Sequence, residues 1–193
     1  MKKKELTSIK QARLNTILDE ATKLMVKKPN ASMHEIAESA GIGIATLHRY
    51  VESREQLMIY LGLRAIEVVS ETMKDIRLDE EDCETFIPEL IEALIPLGDK
   101  IYFLAHDATV NYNREIEEAD QKLREPVLHA IGLLQQKGYF RHDIDKNWVV
   151  NVLYSLLFLT WQKVIDGDIA RKSAAALMVD TFYHGFKTQK WRA

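Results

Sequence analysis

The residues best equipped for chemistry lie between Ser32 and Arg54, and the chemistry they offer is recognition. Gly43, Ile44, Ala45 and Thr46 are small and uncharged, so a backbone carrying them can approach another surface closely. The methyl groups of Ile44, Ala45 and Thr46 suit contact with thymine methyls in a major groove. His48 and Arg49 follow; either can reach a phosphate, and Arg49 can also bond a guanine edge. Tyr50 offers its hydroxyl to a phosphate. Arg54 falls in the first turn of the next expected helix, where the helix field and the guanidinium charge would act together on a phosphate. Ser32, at the opening of the preceding short helix, completes the set of candidate DNA contacts.

Positioning these groups takes two short helices and a tight turn. Ser32 and Glu35 have the spacing of a capping box, and the helix they open has Met33, Ile36, Ala37 and Ala40 on its inner face. Gly41-Ile42-Gly43 supplies the turn, and a second short helix is expected over about 44–51. That pairing lets the second helix enter a major groove. Ahead of it, a helix over 8–27 is expected from a Ser8–Gln11 capping pair and the stripe Leu14, Ile17, Leu18, Ala21, Leu24, Met25; Pro29-Asn30 ends it. Behind it, Ser53 and Gln56 open a long helix reaching about residue 76. Lys2, Lys3, Lys4 and Lys10 form a basic arm, as well read as solvated chain as salt-sensitive DNA contact.

Over about residues 9–60 the sequence resembles the TetR (tetracycline-repressor) family. The resemblance rests on Ile17-Leu18 and Ala21, then Ile36-Ala37-Glu38-Ser39-Ala40-Gly41-Ile42, then Thr46-Leu47-His48-Arg49-Tyr50, then Ser53-Arg54-Glu55-Gln56-Leu57. Three positions depart from the family pattern. Gly43 stands where a polar N-cap is usual, His48 where a tyrosine is usual, and Val51 where an aromatic is usual. Ile44 and His48 therefore put in doubt any operator sequence borrowed from relatives. The resemblance implies a homodimer through the last two helices, binding of palindromic double-stranded operator DNA, repression, and a small-molecule effector pocket in the C-terminal part. Candidate pocket residues are Phe86, Leu90, Tyr102, Phe103, His106, Tyr112 and Trp161. They mix apolar walls with polar tips, although aromatics at helical spacing are also the ordinary signature of a core.

The rest of the chain agrees with an all-α fold. Its 193 residues are 47% hydrophobic, with only eight glycines and four prolines. Further helices are expected over about 84–95, 99–110, 114–137, 145–166 and 170–187, with a kink or split at Pro126. The expected architecture is an N-terminal three-helix domain with the helix-turn-helix over 1–54, then a helical bundle for ligand and dimer contacts over 55–193, about nine helices in all. Residues 148–165 are apolar nearly all round, with 148–161 the most apolar stretch, so both sides need cover: one from the same domain, the other from a partner subunit. This stretch reads as too short for a membrane span.

Charge is unevenly divided. Residues 1–54 carry ten Lys/Arg against six Asp/Glu, a net of +4, leaving −7 on the remainder of a chain that totals −3. A basic head on an acidic body suits a polyanionic partner at one end only. Cys83 is the single cysteine, which removes any intrachain disulfide and any zinc site built on several cysteines. The basic N-terminus lacks an apolar signal region, and a cytoplasmic setting is expected. No cofactor or metal is expected; His106-Asp107 and His142-Asp143 read as a helix end and a turn. An enzyme is the main alternative, but Glu-x-x-His pairs, a His-Glu-x-x-His helix, a nucleophile elbow, a P-loop and a dinucleotide fingerprint are all missing from the sequence. A DNA-bound adaptor without a ligand is the second alternative.

Overall fold

The computed structural model describes residues 8–101 and 108–186. Helices account for nearly all of its regular structure. In chain order they are α1 (Ser8–Lys27), α2 (Met33–Ser39), α3 (Ile44–Leu47), α4 (Arg54–Met73), α5 (Phe86–Leu94), α6 (Gly98–Ile101), α7 (Ala108–Asn111), α8 (Arg114–Gln136), α9 (Lys146–Ile165) and α10 (Arg171–Phe186). A short 3₁₀ turn, Ile95–Leu97, joins α5 to α6. Compactness divides the chain into a first unit, Met1–Ala65 with Phe103–Glu117, and a second, Ile66–Tyr102 with Glu118–Ala193. This division passes through α4 and α8, so it differs from the expected division by role at residue 54.

The first unit is organised by apolar spacing. Leu14, Ile17, Leu18, Ala21 and Met25 form the buried stripe of α1. They meet Ile36 and Ala37 of α2, Leu47 of α3, Val51, and Leu57, Met58 and Leu61 of α4. Val51, where the family prefers an aromatic, is completely buried. The Ser8–Gln11 cap is replaced by a forward contact: the Gln11 amide donates to Asn15 Oδ1 at 3.1 Å, the i to i+4 neighbour on the same helix face.

The second unit is built on one continuous core. Phe86, Ile87, Leu90, Ile91 and Leu94 of α5 join Val127, Ala130, Ile131 and Leu134 of α8, the inner residues of α9, and Ala174, Met178 and Phe182 of α10. Asp145 caps α9, its carboxylate accepting from Asn147 N at 2.9 Å and Trp148 N at 3.3 Å. Helix α9 has 20 residues, longer than the apolar run alone suggested, and by length and composition alone is long and apolar enough to cross a membrane. Its Val149, Val150, Leu153, Leu157 and Trp161 are nevertheless part of the protein core. Pro126 does not split α8, whose helical assignment runs unbroken from Arg114 to Gln136.

Candidate nucleic-acid interface

The turn between α2 and α3 is closed by hydrogen bonds that only certain residues permit. Gly41 adopts φ +65°, the left-handed conformation that side chains disfavour. Its N–H donates to Glu38 O and the next N–H, of Ile42, donates to Ala37 O, both at 2.9 Å. That double closure is a Schellman motif, and it stops α2 after two turns. Gly43 then takes extended dihedrals as the N-cap of α3, contributing no side-chain bond. Its carbonyl accepts from Thr46 N at 2.9 Å and Leu47 N at 3.1 Å.

At the other end of α2 the expected capping box is fully formed. The Ser32 hydroxyl accepts from Glu35 N at 3.3 Å, and Ser32 N donates to Glu35 Oε2 at 2.8 Å. Lys28 Nζ adds an ion pair to Glu35 Oε1 at 2.5 Å. That ammonium bond first, then the bonds from the Ser32 backbone and hydroxyl, hold the Glu35 carboxyl down at about 2 from an ordinary 4.5. Glu35 is therefore an anion at the start of α2. This cap engages the Ser32 hydroxyl, which also donates to Glu35 Oε2 at 2.9 Å, and it puts negative charge where Ser32 was expected to meet a phosphate.

The segment from Ile44 to Val51 has two faces. Leu47 and Val51 are fully buried, and Ile44 and Tyr50 pack partly against the same core. On the opposite side Gly43, Ala45, His48 and Arg49 are exposed, with Thr46 half-buried beside them. Ala45, His48 and Arg49 are spaced three and four apart, so they share one face. The α-helical assignment ends at Leu47, shorter than expected, and residues 48–50 continue as turns, with His48 N donating to Ile44 O at 3.0 Å and Val51 N to Leu47 O at 2.9 Å. Lys10 Nζ stands 5.9 Å from the Tyr50 ring centroid, within cation–π range. Lys2, Lys3 and Lys4 lie outside the described residues.

Arg54 departs from its expected role. Its guanidinium reaches back to the α1–α2 connection, where Nη1 donates to Ala31 O and Nη2 donates to Pro29 O, the latter at 2.9 Å. A fork used on two carbonyls stabilises the fold and leaves little for a phosphate. Spacing alone could not show this, because the partners are 23 and 25 residues away.

The expected effector residues do not assemble into one open site. Phe86 and Leu90 are buried in the core of the second unit. Trp161 is also core: its indole N–H donates to Leu94 O at 3.2 Å, and a Cβ at Gly98 would stand 2.1 Å from its ring. Tyr112 belongs to the first unit, on a turn, and is 90% exposed, so it lines no enclosed space there. Tyr102, Phe103 and His106 lie outside the described residues. A depression of about 440 Å³ opens instead at Pro88, Glu92, Ala176, Val179, Asp180, Tyr183 and His184. Sequence reasoning did not find it, because these residues come from α5 and α10 and carry no common motif. Asp143, half of one His–Asp pair, is bonded to Arg141 at 2.7 Å.

Comparison with known proteins places this geometry. Residues 17–61 match the family model described as bacterial regulatory proteins, tetR family. The HTH-type transcriptional regulator NfxB of Pseudomonas aeruginosa is 26% identical over 163 residues, covering 83% of this chain and 87% of its own length. The TetR-like regulator LfrR from Mycobacterium smegmatis, solved with proflavine, superposes with a TM-score of 0.77 at 19% identity, covering 92% of this chain and 99% of that one. AibR, solved with isovaleryl coenzyme A and operator DNA, superposes with a TM-score of 0.71 at 18% identity, covering 89% and 98%. With its Schellman turn, its bare face over residues 44–49 and an all-helical fold like that of the superposed regulators, the chain is a helix-turn-helix transcriptional regulator whose residues 17–61 match the tetR family of bacterial regulatory proteins.

Proposed function

We propose that the protein is a homodimeric, cytoplasmic repressor that binds a palindromic operator through α3 and is released by a small apolar effector held in its second unit. The observation that carries the DNA-binding half is the division of the α3 segment into a buried face and a bare one. Gly43, Ala45, Thr46, His48 and Arg49 are the base and phosphate contacts, with Ile44 and Tyr50 giving part of their surface to the core. Arg54 and Ser32 hold the motif in shape. The net charge of +4 on residues 1–54 favours phosphate at this end.

The dimer reading is supported by where apolar surface remains uncovered. Trp148 is 60% exposed, and Leu159, Ile165 and Leu177 are each about half exposed; all four lie on α9 and α10. Large apolar side chains gathered on two adjacent helices mark a surface that a second copy would cover. Two-fold pairing there would present two recognition segments to one palindrome. The effector reading is supported by the relatives: LfrR was solved with proflavine and AibR with isovaleryl coenzyme A. Binding would select a dimer geometry whose recognition segments no longer match the groove.

The test is selection of a palindromic duplex from random DNA, followed by anisotropy titration at several salt concentrations. The expected result is one bound dimer per palindrome and affinity that falls steeply with salt. Replacement of both Thr46 and Arg49 by Ala should abolish selection while the melting temperature holds. Unaltered selection by that variant would overturn the assigned face.

A further inference from the structure

The second unit holds a buried hydroxyl, that of Tyr154 on α9, with no hydrogen-bond partner among the described residues. Burial pushes its pKa up to about 12, with the Arg124 guanidinium opposing the shift less strongly. The group therefore keeps its proton at physiological pH and is a donor facing no acceptor. Native proteins rarely leave such an atom unmet, because burial has removed its water.

Its neighbours shape what could meet it. The Arg124 guanidinium of α8 lies over the Tyr154 ring, 4.4 Å from the centroid. It is fixed there by Asp120 Oδ2, 2.6 Å from its Nε, and by Asn151 Oδ1, 3.2 Å from its Nη1. The cation is thus largely neutralised and is not free to turn toward the hydroxyl. Along α9, Tyr154, Phe158 and Trp161 follow one another at helical spacing on one face, with Phe158 and Trp161 edge to face at 5.2 Å. The result is an aromatic row whose Trp161 end is packed into the core and whose other end carries a single unmet donor.

We propose that the Tyr154 hydroxyl is the polar anchor of the effector site, and that the effector class is an apolar molecule carrying an acceptor oxygen such as a carbonyl, carboxylate or sulfonate. This rests on the effector reading given above. A ligand with donors only can bond the phenol oxygen but leaves the hydroxyl hydrogen unmet, so it gains less from the anchor than one with an acceptor oxygen.

Two probes separate the possibilities in the full-length protein. Anilinonaphthalene sulfonate is an aromatic anion with acceptor oxygens, and proflavine is an aromatic cation with amino donors. Tyr154→Phe removes only the oxygen. The variant should melt at or above the parent temperature, bind the sulfonate about 5-fold more weakly, and bind proflavine within a factor of about 2 of the parent. Unchanged sulfonate affinity overturns the anchor, as does equal weakening of both probes. A melting temperature several degrees lower overturns it too, since the hydroxyl would then have a structural partner. Should the parent bind proflavine but not the sulfonate, the acceptor-bearing class is wrong. Should it bind neither, the effector reading itself fails and takes the anchor with it.

Discussion

On the function proposed here the first unit would work through its outside and the second through its inside, and this difference governs what each side chain can reveal. Over residues 44–51 the buried residues Leu47 and Val51 and the bare residues Ala45, His48 and Arg49 are different residues on different faces. Folding and recognition can therefore be assigned separately. In the second unit Phe86, Leu90 and Trp161 are apolar, aligned and buried, as a core requires and as a ligand wall would also require. The same residue type serves both purposes, so type alone decides nothing. Among the described residues both tryptophans, Trp148 and Trp161, fall in the second unit, which gives it a fluorescence signal the described part of the first unit lacks.

The largest expected effect is in the second unit. A Cβ at Gly98 would stand 2.1 Å from Trp161 Cδ1 and 2.3 Å from Cγ, while the indole is pinned by its bond to Leu94 O. A rigid ring cannot yield as a flexible side-chain end can, so Gly98→Ala should cost about 3 kcal/mol. Thermal melting followed by tryptophan fluorescence should move down markedly. In a Trp161→Leu background the same substitution should cost much less, the signature of two sites in contact. Equal costs in both backgrounds would remove Trp161 from the role of core keystone and restore it as a candidate ligand wall.

Arg54 comes next and bears on the first unit. Arg54→Ala leaves the carbonyls of Pro29 and Ala31 without their charged donor, for about 2 kcal/mol. Far-UV circular dichroism should show earlier melting while the tryptophan signal holds. Operator affinity should fall only as far as the fold is loosened, with an unchanged dependence on salt. A phosphate contact predicts the reverse: stability kept and the salt slope reduced by about 1.

What the sequence made legible follows the same divide. The capping box Ser32–Glu35, the stop at Gly41 and the buried stripe of α1 were all readable, because each is a local rule linking residues at most four apart. The bonds of Arg54 to Pro29 and Ala31 were not legible, because these partners lie across the unit, beyond any local rule. Gln11 was misread because two local rules competed and the i to i+4 contact with Asn15 won. In the second unit the helices were legible from periodicity. The open depression was not, since Pro88, Glu92, Asp180 and His184 are assembled only when α5 and α10 pack. Tyr154 passed as one more apolar residue of α9, for the lack of a partner cannot be seen without coordinates.

Arg49 sharpens the comparison at the surface. It is exposed, so Arg49→Ala should leave the unfolding free energy within about 0.5 kcal/mol of the parent. Operator affinity should drop by about 1–3 kcal/mol if Arg49 bonds a base edge, with the loss confined to sequences carrying that base. If it meets only phosphate, every duplex should lose affinity alike and the salt slope should fall by about 1. A large loss of stability would mean that the bare face of α3 is also structural, and the separation of faces would fail.

The smallest expected effect concerns Glu35 and tests whether the capping box acts only on the first unit. The folded-state pKa is about 2 and the ordinary value 4.5, so the folded form releases this proton more readily than the unfolded chain does. The stabilisation from the ionised carboxylate is therefore complete above pH 4.5 and is lost as pH falls toward 2. Glu35→Gln keeps a side chain that can still accept from Ser32 N, but it removes the charge that pairs with Lys28. Its first unit should start slightly less stable at neutral pH and then lose less than the parent through that acidic window. The fluorescence transition of the second unit should show the same pH dependence in both proteins. Parallel acid curves by circular dichroism would mean that Glu35 titrates alike in folded and unfolded chains, and that the Lys28 pair contributes nothing in solution.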